Sequence, residues 1–239
     1  MNKILSIVVV IFGFISQLEA QIATSSPYSR FGVGELQQNI FPEFNAFGGA
    51  STALSNTISV NPNNPASYAY FTPNSFLLST GGWYQTTKME NATAEQTVNN
   101  NAFSHLVLGF PLSRKIGISF GMIPFTSTGY QISTRDAVYN ADMNYYGDGG
   151  LSKVYFGAAT ANELGLSIGI NASYLFGGLN RRKQLVYDDE SFLNSRSNSK
   201  INLKGYYYEL GVLYKKVLNE NDEFSIGLTA NNNSSIRAK

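Results

Sequence analysis

Between about residue 74 and residue 231 the chain carries runs in which an apolar side chain recurs at every second position, separated by breaks. In "NELGLSIGINASYLFGG", residues 162–178, one side of the run reads Leu164, Leu166, Ile168, Ile170, Ala172 and Tyr174, and the other Gly165, Ser167, Gly169, Asn171 and Ser173. The rhythm recurs in Ile116, Ile118 and Phe120 against Gly117, Ser119 and Gly121, in Tyr206, Tyr208, Leu210, Val212 and Tyr214, and in Phe224, Ile226, Leu228 and Ala230. A period of two belongs to β-strands whose two faces meet different surroundings. It predicts strands over residues 74–88, 102–112, 115–130, 150–160, 164–177, 200–217 and 223–231. The connections 89–101, 131–149 and 178–199 are long and polar, while 113–114, 161–163 and 218–222 are short. Their strict alternation predicts an up-and-down antiparallel meander with tight turns at one end.

The face opposite the apolar one carries Gly, Ser and Asn, where a soluble strand would carry Lys, Glu or Arg. Charged residues make up only 14% of the chain, against roughly 25% in ordinary soluble domains. The apolar face is therefore assigned to lipid and the small face to the interior. Backbone groups in hydrocarbon must all be paired, so strands cross a bilayer only as a closed barrel. The 15 Tyr and 16 Phe supply material for interfacial girdles, with Tyr206 and Tyr214 as candidates. The expected fold class is all-β, a transmembrane antiparallel up-and-down β-barrel, and the expected location is the cell outer membrane.

Residues 21–73 follow neither period. Stretches such as "SPYSRFGVGEL" and "NPNNPASYAYF" are dense in Gly, Pro, Ser and Asn, which turn the chain. Their aromatics imply that the segment packs on something. Ahead of it, Lys3, the apolar run Ile4–Phe14 and Leu18-Glu19-Ala20 have the layout of a secretory signal peptide over residues 1–20. The organisation predicted is thus 1–20 leader, 21–73 hatch or plug, and 74–239 barrel strands. With no cysteine in the chain, disulfides, thiolate metal sites and lipid attachment at a new N-terminal Cys are excluded.

A net charge of +1 with no basic stripe sets nucleic acid aside as a partner. Catalytic signals are weak. Gly117-Ile118-Ser119-Phe120-Gly121 and Gly165-Leu166-Ser167-Ile168-Gly169 match the nucleophile-elbow pattern, but both lie mid-strand, where a sharp strand-to-helix turn is required. His105, the single histidine, is the base any Ser–His hydrolase on this chain would have to use. Asp188, Asp189 and Glu190, flanked by Arg181, Arg182 and Lys183, offer carboxylates for calcium or guanidinium groups for phosphate, and equally describe a solvated loop. The chain is read as no enzyme, with neither cofactor nor metal. Pro124 interrupts a strong strand, and with Gly121 it marks a candidate kink in the barrel wall.

"FGGASTALSNTISVNPNNPASYAYF", with the triplet Asn64-Pro65-Ala66 just before the first barrel strand, resembles the N-terminal hatch of the FadL/TodX family of outer-membrane transporters of hydrophobic compounds. The stretch "GYYYELGVLYKKVLNENDEFSIGLTANNNSSIRAK" is similar to a mid-barrel hairpin of that family. The resemblance implies a fourteen-stranded barrel plugged by the hatch, with lateral exit of ligand through a wall kink. Seven strands are half of fourteen, so the sequence is expected to be the N-terminal part of a longer barrel. The function it implies is passive transport of hydrophobic molecules such as long-chain fatty acids, with an apolar small-molecule ligand and outer-membrane lipid as partners. The alternative is a structural or shuttle barrel of a type IX-like secretion system that binds exported proteins.

Overall fold

The alternation written into residues 74–231 folds as seven long strands, β2 (Leu77–Glu90), β3 (Glu95–Pro111), β4 (Ile116–Asp136), β5 (Ala141–Ala161), β6 (Leu166–Tyr187), β7 (Ser195–Val217) and β8 (Glu223–Asn231). Each pairs antiparallel with the next, in the order β2-β3-β4-β5-β6-β7-β8, and the sheet curls into a half-barrel. Two-residue strands β1 (Glu35–Leu36) and β9 (Arg237–Ala238) add to β4 and β7. This computed structural model describes residues 24–37, 41–45, 47–90, 95–137, 140–189, 191–219, 222–233 and 235–238. The expected leader and Glu190 lie outside them. Among the described residues no helix is long and apolar enough to cross a membrane.

Tight turns stand where expected. At the β5–β6 turn the Asn162 side chain accepts from the amides of Leu164 and Leu166 at 3.0 and 2.9 Å, and Gly165 takes a φ of +85° that only glycine adopts without strain. The connections at the opposite end are shorter than the sequence predicts. Residues 131–149 are not a loop: β4 runs to Asp136 and β5 starts at Ala141, with Asp136 paired to Ala141. Residues 178–199 likewise extend β6 to Tyr187 and start β7 at Ser195. The ladder continues past the point where the alternation stops. Water meets both faces there, so polar residues fill both, and the period-two signal disappears while the hydrogen bonds persist.

The small-residue face is buried by residues 41–71. Phe41, Phe44, Tyr68 and Phe71 form one core with Val107, Ile123, Tyr155 and Ala159 of the strands. Glycine is needed because the segment's backbone lies directly on the sheet. A Cβ on Gly169 would stand 2.5 Å from the carbonyl carbon of Pro65, and one on Gly117 or Gly227 would overlap the carbonyl oxygen of Tyr68 or Thr52. The second core, Leu151, Leu175, Leu179 and Leu203, takes in Phe125 and Ile236 nearer the long hairpins.

The wall is not continuous. β3 and β4 pair only from Leu106–Met122 to Pro111–Gly117. Beyond that point β3 stays with β2 and β4 with β5. The resulting seam is bridged by residues 25–37: Ser25 Oγ donates to Asn100 Oδ1 of β3 at 2.8 Å, Ser29 Oγ bonds the Gly129 backbone of β4 at 3.1 Å, and β1 pairs with Thr126 and Ser127.

Candidate functional site

The inner face is organised by one buried polar chain. Lys153 on β5 and Glu209 on β7 both point inward past β6, and the ammonium lies 3.0 Å from each carboxylate oxygen. Their side chains are 5% and 15% exposed, so water contributes little to either charge. Asn171 on β6 stands between them, donating to Glu209 at 3.4 Å and to the Pro62 carbonyl at 3.0 Å. Its Oδ1 accepts from the Tyr68 hydroxyl at 3.0 Å. Tyr155 and Ser119 continue the chain at 2.9 Å. Four neighbouring strands, β4 to β7, and the N-terminal segment are thereby held in one register.

Asn64, Pro65 and Ala66 lie at the centre of this contact. Asn64 caps the 3₁₀ turn Pro65–Tyr70, its side chain accepting from Ala66 N at 3.0 Å. Its Nδ2 donates to Thr52 O at 2.6 Å and Val212 O at 3.3 Å. All three residues are buried. The triplet is a device that starts a turn with a proline-fixed φ and ties it to β7.

Gly121 and Pro124 sit beside the seam. Gly121 pairs with Val107 near the last β3–β4 contacts. At Pro124 the β4–β5 register shifts before Thr126, and the extra residue, Phe125, sets its ring 5.5 Å from that of Tyr207. Sequence reasoning missed the partner of this break, residues 25–37, because a strap of mixed polar residues has no period.

His105 does not form a catalytic triad. Its Nε2 lies 2.9 Å from Ser79 Oγ and its Nδ1 2.9 Å from Ser104 Oγ, so a hydroxyl occupies the place of the orienting carboxylate. The Phe41 ring lies 4.3 Å away, and the imidazole is 1% exposed. Ser119 and Ser167 donate to strand carbonyls at 2.8 and 3.2 Å, as mid-strand residues do. Among the described residues no group of three His, Asp or Glu side chains is placed to hold a metal. Asp188 instead joins Asp142 on the Arg135 guanidinium. Arg135 holds the Asp188 carboxyl below its ordinary range.

The outer face is apolar and uncovered. Phe120, Met122, Val154, Phe156, Ile168, Ile170, Tyr206, Leu210, Ile226 and Leu228 are all exposed, and along it Tyr174 stacks on Phe176 at 6.1 Å and meets Tyr206 at a tilt, 5.6 Å between ring centres. A shallow groove of about 750 Å³ runs between Leu106, Phe120, Val154 and Tyr206.

The BamG family model matches residues 1–239. No curated protein and no solved structure matches the chain. The match overturns the resemblance to the FadL/TodX family: short motifs such as Asn64-Pro65-Ala66 serve turn formation here, and a turn of that kind is not particular to one family. Fatty-acid transport, the apolar small-molecule ligand and the reading of residues 21–73 as a transporter hatch are overturned with it, and the type IX secretion alternative gains no support. The match makes this an outer-membrane-associated protein.

Proposed function

Because the chain belongs to the BamG family, we propose that it serves outer-membrane protein assembly, meeting the assembly machinery or its outer-membrane protein clients rather than a small ligand. The observation that carries this reading is the family match across all 239 residues. The role is one of surfaces and does not involve bond chemistry.

The outer face supports a membrane-embedded wall. On β6 the apolar side chains run from Leu166 to Phe176, about 33 Å along the strand at roughly 3.3 Å per residue. At a tilt of roughly 40° that covers about 25 Å of bilayer, the height of the apolar band of outer-membrane barrels. A contiguous apolar surface of this extent has no place in water. Among the described residues β2 and β8 have no further strand on their outer edges, and edge backbone groups within hydrocarbon call for neighbouring strands. Both features favour a place in a transmembrane barrel.

Depletion of the protein in its own bacterium tests the role. Folded outer-membrane barrels, read by heat-modifiable mobility in isolated outer membranes, are expected to decline while their transcripts do not. Normal amounts of folded barrels in cells lacking the protein would remove the assembly reading. Alkaline carbonate extraction tests the location, since an embedded wall stays in the pellet.

A further inference from the structure

Where β5, β6 and β7 rise beyond the apolar belt, the inner side of the sheet carries a cleft of about 540 Å³. Its walls include Arg30, Arg181 and Lys183 together with Tyr130, Tyr145, Ser197 and Ser199, and among the described residues no carboxylate lines it. We propose that this cleft binds a phosphoryl group, free or carried by a phosphorylated headgroup. The inference is independent of the assembly role.

Three cations, Arg30, Arg181 and Lys183, gathered on the inner face repel one another, and their proximity is relieved by a multivalent anion. The positions are built, not incidental. Arg30 comes from the 3₁₀ turn Pro27–Arg30, which Ser29 fixes to Gly129. Its guanidinium lies 4.6 Å from the centre of the Tyr145 ring, with the Lys183 ammonium 5.6 Å from the same ring. Tyr145 therefore draws two cations together from separate parts of the chain. Arg181 Nη2 donates to the Gly32 carbonyl at 2.9 Å, which orients the fork, while its Nε is buried without a hydrogen-bond partner. A guanidinium so held keeps its remaining Nη hydrogens as donors of the kind that suit phosphate oxygens. The nearby acid, Asp148, belongs to the adjoining cleft, and its carboxylate accepts from Asn180 at 2.7 Å.

The test is calorimetric titration of the full chain, in zwitterionic micelles at low ionic strength, with inorganic pyrophosphate. Saturable binding that weakens with salt is expected. Arg181→Gln should weaken it about tenfold or more, and Lys183→Gln, an exposed change that does not disturb packing, should weaken it in the same direction. Arg114→Gln, at the opposite end of the sheet, should leave it unchanged. Flotation with phosphatidylcholine vesicles, with and without phosphatidic acid, separates the sources: Arg181-dependent retention by the acidic vesicles assigns a headgroup, and pyrophosphate binding without it assigns a soluble phosphate. Absence of saturable pyrophosphate binding overturns the proposal. So does binding that survives both Arg181→Gln and Lys183→Gln at unchanged melting midpoints, binding lost equally in Arg114→Gln, or tighter binding of a poly-glutamate peptide than of pyrophosphate.

Discussion

Lys153 and Glu209 meet at 3.0 Å although their strands are not neighbours in the sheet. The pair reaches across β6 on the concave side, where curvature brings inward side chains of alternate strands together. Removing one partner leaves a buried charge, so Glu209→Gln should destabilise the fold by about 3–5 kcal/mol. Replacing both with apolar residues, Lys153→Met with Glu209→Leu, should recover most of that loss. Denaturant midpoints of the refolded protein in micelles would show it. Equal loss in the single and double variants would mean that the hydrogen bonds of Asn171 and Tyr68, not the charge pair, carry the stability.

The contact between residues 47–71 and the sheet depends on missing side chains. Gly169→Val should push Pro65 away, at a cost of about 1–3 kcal/mol or more for overpacking, and should expose the segment to protease while the strands stay protected. Gly178→Ala, where a Cβ meets nothing closer than 3.5 Å, should leave the cleavage pattern unchanged.

On the outer face, Ile168→Arg should cost roughly 2–4 kcal/mol if it lies near the bilayer midplane, and Gln184→Arg, beyond the belt, about 0–1 kcal/mol. The fraction of each variant recovered in the outer membrane is the measurement. Indistinguishable recoveries would argue that protein, not lipid, covers this face.

Arg135 links two hairpin ends through Asp142 and Asp188. Because Asp188 titrates below its ordinary 3.8, the link contributes fully above that pH and is lost as pH falls through the lower folded value. Proteolysis of residues 188–194 by an acid-active protease should accelerate below about pH 3.8 relative to pH 5, and Arg135→Gln should abolish the difference. Both groups are exposed, so the effect stays local to the hairpin ends.

The seven strands, their order and their tight turns were legible in the sequence, because a period of two survives wherever the two faces of a strand differ. Leu166, Ile168 and Ile170 announced the outer face and residues 161–163 the turn, while Gly165, read as the strand's small face, belongs to the turn instead. The ends of β4, β5, β6 and β7 were not legible, since polar side chains on both faces erase the pattern without ending the ladder. Nor was the reason for the small face: alternation showed that Gly117, Gly169 and Gly227 share a side, but only the folded chain brings the carbonyls of Tyr68, Pro65 and Thr52 against them. Lys153 and Glu209 are 56 residues apart, and Arg30 and Lys183 lie on a turn and a strand with no local relation. Sequence patterns record a residue's immediate surroundings along its own strand. Pairing across alternate strands, the seam at Met122 and the strap over it arise from curvature and chain return, which only the tertiary structure decides.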